Sequence, residues 1–226
     1  MKQLSLLLVF LIFSCNHEKS VLLPEIENAE ITEVLDISPI YIFYDESKTD
    51  SLEINRNNVI STTNLLINID KRLTLGQVVP KIIFLQDKKR NAEVHKNENS
   101  KNYFTCNDTS IQNLGFLEFT QTIYKINSIL PNVSSDYYNS KEKRIILDFN
   151  KPNDIKFVTL YNDSIIKKWT LELLKNDLET LPHETVYDVI LNINDQLTFQ
   201  DYLTFKSILS KVKESHITIN ENEFIY

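Results

Sequence analysis

The side chains best suited to metal binding are the four histidines, His17, His95, His183 and His216. No two of them have the spacing of a metal-binding motif, and His183-Glu184 lacks the second histidine that a zinc-protease helix needs. The sequence therefore predicts surface histidines, no bound metal and no cofactor.

A cysteine nucleophile is the second possibility, with Cys106 activated by His95 as its base. Asp108 lies close in sequence and would raise the pKa of the thiol, which favours a buried structural cysteine instead. Residues 86–113 are strongly polar, and we interpret them as a long exposed loop. On that loop, His95, Tyr103 and Cys106 are the candidates for an interaction surface.

Two aspartates each follow a predicted strand. Asp70 and Asp195 could form a carboxylate pair that binds a cation or performs acid–base catalysis. Turn formation is the favoured explanation, since the two do not align in the internal repeat described below. No catalytic residues are assigned.

Tyrosine is frequent, with ten in the chain. Tyrosine side chains combine a large apolar area with a polar tip and are common at interfaces. A glycan- or peptide-binding surface is one interpretation, and packing in the core and strands is the other. The candidates are Tyr41, Tyr44, Tyr103, Tyr137 and Tyr138.

The composition excludes several classes of protein. The chain has 226 residues with a formal net charge of -7, and its two glycines are Gly76 and Gly115. A Walker A loop, a dinucleotide fingerprint and a nucleophile elbow each need clustered glycines and are excluded. The acidic charge argues against a nucleic-acid partner, because phosphate binding needs a basic surface.

The N-terminus carries a targeting signal. In residues 1–14, Lys2 is followed by an apolar run from Leu4 to Phe13, too short for a membrane span and typical of a secretory signal peptide. The run ends in Ile12-Phe13-Ser14-Cys15, which resembles the lipobox of bacterial lipoproteins, although Phe13 is bulkier than the usual residue there. An ordinary secretory signal with a chance cysteine is the alternative.

The lipoprotein resemblance implies that Cys15 becomes the first mature residue and carries several fatty acyl chains, palmitate among them. Two or more acyl chains give stable membrane anchoring. The protein is then expected in the cell envelope, anchored to a bacterial membrane, the outer one by preference. Its body would lie in the periplasm or at the cell surface, and Cys106 would have no disulfide partner within the chain.

The pattern of apolar residues predicts a β-rich α+β fold with mixed or antiparallel sheets. After the signal peptide we predict a tether over 15–37, with a short helix near Glu25 to Leu35. An N-terminal α+β unit over 38–130 and a C-terminal unit over 143–226 follow. In the first unit we predict strands at 40–44, 51–55 and 65–69, then a helix that begins at Thr74 or at Val79. Residues 116–130 are predicted as a helix, or 116–119 as a strand. In the second unit we predict strands at 144–149, 156–161 and 186–192, a strand from Ser164, a helix over 199–212 and a final hairpin around 220–222.

The segments from Leu65 and Val189 resemble each other at a shift of 124 residues. The identical pairs are Asn68/Asn192, Ile69/Ile193, Leu73/Leu197 and Thr74/Thr198. Both copies have the spacing of a helix capping box, Thr74 to Gln77 and Thr198 to Asp201. A duplication and a chance match both remain open. The weaker prediction is a strand–turn–helix unit in each half.

Residues 184–226 are similar to the periplasmic domain of the ExbD/TolR family. The similar parts are the strand Val186 to Asn192, the turn at Asp195, the helix from Phe199 and the final strand. That family is anchored by a transmembrane helix with a functional acidic residue, which this sequence lacks. The resemblance implies envelope partners and no chemistry.

Three functions follow from these observations. The first is a lipid-anchored, non-enzymatic envelope protein, attached to the membrane through Cys15, whose body binds an envelope protein or a glycan. The second is a structural subunit of an envelope complex. The third is an envelope hydrolase with dispersed carboxylates, which leave no local motif.

Overall fold

The computed structural model describes residues 19–56, 60, 62–91, 97–129, 143–159 and 164–226. Across these ranges the chain forms twelve strands and three helices. The strands make two mixed sheets of six strands each, which confirms the predicted β-rich α+β fold. Within the same ranges, each helix is too short or too polar to cross a bilayer.

The first sheet belongs to the N-terminal part of the chain. Its strands are β1 (Glu25–Ile26), β2 (Ile37–Tyr44), β3 (Leu52–Asn55), β4 (Asn64–Ile69), β5 (Asn102–Asp108) and β6 (Asn113–Glu118). β2, β4 and β5 form a parallel centre, with β3 and β6 antiparallel at the edges. The short β1 pairs in parallel with the end of β5. Helix α1 (Leu75–Arg90) connects β4 to β5.

The second sheet belongs to the C-terminal part. Its strands are β7 (Ile123–Ile126), β8 (Lys143–Lys151), β9 (Asp154–Thr159), β10 (Ser164–Trp169), β11 (Tyr187–Ile193) and β12 (Ile217–Ile225). Their order is β10-β9-β8-β11-β12-β7, with β8, β11, β12 and β7 parallel. Helix α2 (Leu171–Glu179) precedes β11, and helix α3 (Phe199–Ser210) connects β11 to β12.

Helix α1 shows how the local sequence sets an element. Thr74 and Gln77 form the predicted capping box, and Leu75 and Val78 face the core. The helix runs through Pro80, so the alternative start near Val79 is wrong. Pro80 costs one backbone hydrogen bond, which the cap and the buried apolar face outweigh.

The two sheets share the topology of four strands. Each half has a hairpin, a strand parallel to its first member, a helix and another parallel strand, and in the second half β10 and α2 lie between the hairpin and the next of these strands. The order β3-β2-β4-β5 corresponds to β9-β8-β11-β12, and α1 corresponds to α3. Thr198 also forms its predicted capping box with Asp201. A strand–turn–helix unit in each half is therefore confirmed.

The two halves meet at the N-terminal ends of α1 and α3. The cap residues Thr74 and Thr198, which are equivalent in the repeat, form an isolated antiparallel bridge with each other. The backbone hydrogen bonds of this junction are Leu75 N to Leu197 O (2.9 Å), Phe199 N to Leu73 O (2.7 Å), Gly76 N to Asp195 O (2.8 Å) and Gln200 N to Lys71 O (3.2 Å). The first bond joins the positions that are equivalent in the repeat, at an offset of 124 residues, to those joined by the second bond. The third and fourth bonds are related in the same way. The junction therefore has approximate two-fold symmetry.

A single large apolar core extends across both sheets and the faces of the helices turned toward them. Phe104 of β5 stacks on Phe119 with 3.8 Å between ring centroids and meets Phe199 of α3 edge-on at 5.2 Å. Since these rings come from both halves, the two units are packed as one body rather than as separate domains.

The predicted tether is wrong for the described residues that follow Lys19. Ile26 is buried in the core, and Pro24 O accepts a hydrogen bond from Asn107 N at 2.8 Å. Ile31 bridges to Phe116, and the helix expected near Glu25 to Leu35 does not form. The apolar side chains in this segment pack onto the first sheet, so the segment is part of the fold. Residues 15–18 lie outside the described ranges.

The boundary between the predicted units also changes. The predicted helix over 116–130 does not form in its described part, 116–129. These residues contribute the end of β6 and then β7, which joins the second sheet by pairing with β12. The first unit, predicted over 38–130, therefore gives one strand to its neighbour. Residues 131–142, between the two predicted units, lie outside the described ranges.

The C-terminal hairpin is wrong as well, because residues 217–225 form one continuous strand. The turn-forming residues make a bulge instead: the register with β11 shifts between Ile219 and Glu223. Asn220 Oδ1 accepts hydrogen bonds from the backbone and side-chain nitrogens of Asn222, at 2.9 and 3.0 Å. These bonds satisfy the local polar groups without reversing the chain.

Candidate functional site

Two of the three residues of the predicted interaction surface, Tyr103 and Cys106, do not lie on an exposed loop. Tyr103 and Cys106 lie in β5 and are buried, at 8% and 0% exposure. β5 pairs with β4 and β1 along one edge and with β6 along the other. Much of the polar character of 86–113 comes from the last turn of α1 and from the loop before β5, not from the strand. His95, like Cys15, lies outside the described ranges.

Cys106 is a structural thiol. Burial, and secondarily the charge of Asp108, raises its pKa far above the ordinary value, so the thiolate does not form at neutral pH. The prediction of a buried structural cysteine is confirmed, and a Cys106 nucleophile is wrong.

Asp70 is buried in a turn after β4. Burial opposes its ionisation, but hydrogen bonds from Arg72 and from the backbone of Leu22 outweigh this and lower its pKa. Arg72 Nε and Nη2 donate to the two carboxylate oxygens at 2.8 Å each. Asp195 uses its backbone carbonyl at the junction with Gly76, and its side chain accepts from Gln196. Both aspartates therefore serve turns, as the favoured prediction stated.

The candidate tyrosines do not form one surface. Tyr41 is half-exposed and stacks with Phe43, whereas Tyr103 is buried. The Arg72 guanidinium lies over the ring of Tyr44, 4.4 Å from its centroid. Tyr137 and Tyr138 lie outside the described ranges.

A buried polar network connects the strands of the second sheet. Asn192 donates to Asp148 at 2.8 Å, and the Tyr226 hydroxyl donates to the same carboxylate oxygen at 2.8 Å. Lys156 lies 3.4 Å from the other oxygen. Burial and the charge of Asp148 raise the pKa of Tyr226, so its hydroxyl stays a donor. The network holds the C-terminal residue against β8 and β11.

A second buried network connects α3 to β7 and β12. Tyr124 and Tyr202 share a hydrogen bond of 2.9 Å, and the Tyr202 hydroxyl donates to Glu223 at 2.7 Å. Lys206 forms an ion pair with the same carboxylate. Burial raises the pKa of both tyrosines, which keeps them neutral. With each of these groups paired to another, the network is structural.

Lys89, in the last turn of α1, has a pKa lowered to about 8 by burial. Its Nζ donates to Lys101 O and Asn102 Oδ1, both at 3.0 Å. These bonds hold the helix end against the start of β5. One partner of the amine is in β5 and the other directly precedes it, so we assign Lys89 a structural role.

The group most suited to chemistry is formed by His183, Glu214 and His216. His183 Nδ1 lies 3.3 Å from His216 Nδ1. Glu214 Oε2 lies 3.8 Å from the first nitrogen and 3.7 Å from the second. His216 is buried and His183 is exposed. Two imidazole nitrogens and one carboxylate oxygen therefore converge at an accessible point.

The fold brings these residues together at the amino ends of two neighbouring parallel strands. His183 lies in the loop between α2 and β11, and Glu214 and His216 lie in the loop between α3 and β12. The prediction of surface histidines holds for His183 but is wrong for His216. The sequence did contain one indication of this site, because each of the two histidines directly precedes a strand that is predicted for the same unit. Their pairing nonetheless depends on β11 and β12 being adjacent.

Comparison with known proteins gave no match to a family model, to a curated protein or to a solved structure.

Proposed function

We propose that this chain is a lipid-anchored protein of the bacterial cell envelope whose body is a non-enzymatic binding or interaction module. The observation that carries the proposal is the sequence Ile12-Phe13-Ser14-Cys15 directly after a short apolar run. Acylation of Cys15 attaches the body to a membrane, by preference the outer membrane, with a protein or a glycan of the envelope as partner.

The fold adds a constraint on how the body lies. Lys19 binds the carboxylates of Asp45, in the turn after β2, and of Glu53, in β3. Lys19 is four positions after Cys15, so their Cα atoms are at most about 14 Å apart. Under this proposal the turn between β2 and β3 faces the lipid surface, and the opposite parts of the body face the partner.

The ionisation of the carboxyl groups favours binding over hydrolysis. A hydrolytic general acid needs a raised pKa. Four carboxyl groups instead have a lowered pKa, because hydrogen bonds stabilise their charged form: Asp45, Asp70, Asp108 and Asp154. A purified protein that hydrolysed a cell-wall or glycan substrate would contradict the proposal.

A structural subunit of an envelope complex is the second candidate. It is supported by the resemblance of residues 184–226 to the ExbD/TolR periplasmic domain. The strand, helix and strand on which that resemblance rests are formed, as β11, α3 and β12.

Metabolic labelling with radioactive palmitate tests the anchor. We expect label in the intact protein and none in Cys15→Ser, because acylation needs the thiol of Cys15. Cys106→Ser is the matched control and should keep the label, since Cys106 is buried in β5. The proposal fails if the intact protein takes up no label or if Cys15→Ser keeps it.

Cross-linking in cells followed by identification of the partner tests the binding role. We expect an envelope protein or glycan to be captured by the intact chain well above the level seen with Cys15→Ser. A stable assembly of fixed composition would favour the structural subunit. No capture above that background would contradict both candidates.

A further inference from the structure

We propose that His183, Glu214 and His216 bind a divalent transition-metal ion, with Zn²⁺ as the preferred ion and with coordination positions left open to solvent. This proposal depends on the geometry of the second sheet and is independent of whether Cys15 is acylated.

The distances between the three ligand atoms suit zinc. They define a triangle whose circumscribed circle has a radius of about 2.1 Å, the length of zinc–imidazole and zinc–carboxylate bonds. One point in the plane of the three atoms is therefore at bonding distance from all of them.

The hydrogen bond on the far side of His216 sets the tautomer that a metal needs. His216 Nε2 lies 3.3 Å from the backbone oxygen of Leu181 and donates its proton there. In the neutral ring this leaves a lone pair on Nδ1, directed toward His183 and Glu214. A metal-binding histidine commonly donates its other ring nitrogen to a backbone carbonyl in this way.

The converging atoms are mostly electron-pair donors. With Nδ1 of His216 as an acceptor, this nitrogen and the Glu214 carboxylate oxygen face the same point as His183 Nδ1. Either the Nδ1–H of a neutral His183 ring or a metal ion can join these groups. The metal ion bonds to all three atoms at once, whereas a single N–H must be shared between two acceptors.

The loops that carry the ligands are held by the strands they precede. Tyr187 N donates to His216 O at 2.8 Å, and Ile217 N donates to Glu214 O at 3.0 Å. The first bond starts the pairing of β11 with β12, and the second closes a turn directly before β12, so the backbone of both ligand residues is held in place. This pre-organisation reduces the entropy lost on binding.

The type of ligand selects the metal. Two imidazoles and one carboxylate suit Zn²⁺ and other late transition metals, whereas Mg²⁺ and Ca²⁺ prefer oxygen ligands. Three protein ligands with an open position are typical of zinc sites that exchange their remaining ligand, rather than of closed structural sites. Because the His183 side chain is largely exposed, water or a donor group from a partner can reach that position.

Isothermal titration of the full-length protein in detergent with ZnCl₂, after dialysis against EDTA, tests the site. We expect one ion per chain at neutral pH and no binding of MgCl₂. His183→Ala and Glu214→Gln should each weaken zinc binding at least tenfold. Binding should also weaken in acidic buffer, because protons compete with the metal for its ligand atoms.

Two controls separate loss of the site from loss of the fold. Glu184→Gln changes an exposed carboxylate next to His183 and should leave zinc affinity unchanged. Since the His183 side chain is exposed, His183→Ala should keep the urea midpoint of the metal-free protein. Co²⁺ should give a visible absorption band with the intact protein that is lost in His183→Ala. The proposal is overturned if the intact protein binds Zn²⁺ no more tightly than His183→Ala, or if Glu184→Gln weakens binding equally.

Discussion

Asp108, at the end of β5, attaches the N-terminal segment to the first sheet. Its carboxylate accepts from the backbone nitrogens of Ala29 at 2.6 Å and Asn28 at 3.2 Å. It also accepts from the hydroxyl and backbone nitrogen of Ser110, at 2.6 and 2.9 Å. The Ser110 hydroxyl bond, followed by that of Ala29, lowers the pKa of Asp108 to about 2.

Replacement of Asp108 by asparagine should destabilise the protein in a pH-dependent way. An aspartate with a lowered folded-state pKa adds stability above its unfolded pKa of about 3.9, and loses it as the pH falls through the folded value. Urea midpoints should therefore be lower for Asp108→Asn at pH 6. The difference between the urea midpoints of Asp108→Asn and the intact protein should become smaller between pH 4 and pH 2.

The control is Asp87→Asn, which removes a carboxylate exposed on α1. Its urea midpoint should follow that of the intact protein at every pH. A difference between Asp108→Asn and the intact protein that stayed constant down to pH 2 would contradict the assigned role of the charge.

At the scale of the elements, β6 and the segment around Ala29 approach each other closely. A Cβ atom added at Gly115 would lie 2.5 Å from the Cβ of Ala29 and 3.3 Å from that of Asp108. Glycine at this position lets the segment of Ala29 lie directly on the strand. The same segment bridges to β6 through Ile31 and Phe116.

Gly115→Ala should destabilise the protein by about 1–3 kcal/mol, because the methyl group forces two packed backbone segments apart. The urea midpoint measures the loss. Removing the opposing methyl group in the double variant Gly115→Ala with Ala29→Gly should recover part of it.

Gly76→Ala is the matched glycine control. Its new Cβ would come within 3.1 Å of one carboxylate oxygen of Asp195, which can rotate away, so the effect should be smaller. Equal losses for the two glycines, or no recovery in the double variant, would show that steric contact with Ala29 is not the cause.

At the scale of the whole molecule, the two halves share one core. Phe104 is on β5 of the first sheet, and its ring meets Phe199 and Tyr202 of the helix in the other half, at 5.2 and 6.4 Å. The symmetric hydrogen bonds between the caps of α1 and α3 join the same two halves. Neither half can unfold without exposing apolar surface of the other.

The chain should therefore unfold in urea as a single cooperative unit. Trp169 is the only tryptophan and is buried against Phe157 in the second sheet, so its fluorescence reports on that half. Far-UV circular dichroism reports on both halves, and the two curves should coincide. Phe104→Ala, in the first sheet, should lower the free energy of unfolding by about 3–5 kcal/mol and move the urea midpoints of both curves by the same amount.

Phe84→Ala, which removes an exposed ring from α1, is the control and should change the midpoint little. If Phe104→Ala moved the circular dichroism curve and left the Trp169 curve unchanged, the halves would be independent domains.

Local features were within reach of the sequence. The capping boxes at Thr74 and Thr198, and the strands around Ile40, Leu65 and Val189, depend on residues within a few positions of one another. The repeat could be read for the same reason, since its two copies carry the same local pattern. The lipobox at Cys15 is also local, and its role stays a prediction.

Other features were decided by contacts between distant residues. Ile26 becomes part of the core, and Cys106 and Tyr103 are buried, because other segments of the chain cover both sides of β5. The polar residues near them in sequence suggested exposure, since composition cannot show which side chains a strand turns inward.

The candidate metal centre shows most clearly the difference between what local sequence predicts and what contacts between distant residues decide. His183 and His216 are 33 residues apart, and nothing in their spacing predicts a shared site. The sequence alone determined that the chain is a β-rich α+β protein with a paired strand–turn–helix unit. Only the parallel pairing of β11 with β12 brings the loops before these two strands together, and with them two imidazoles and a carboxylate. The packing of the whole sheet decides which strands are adjacent, so the tertiary structure was needed to find this site.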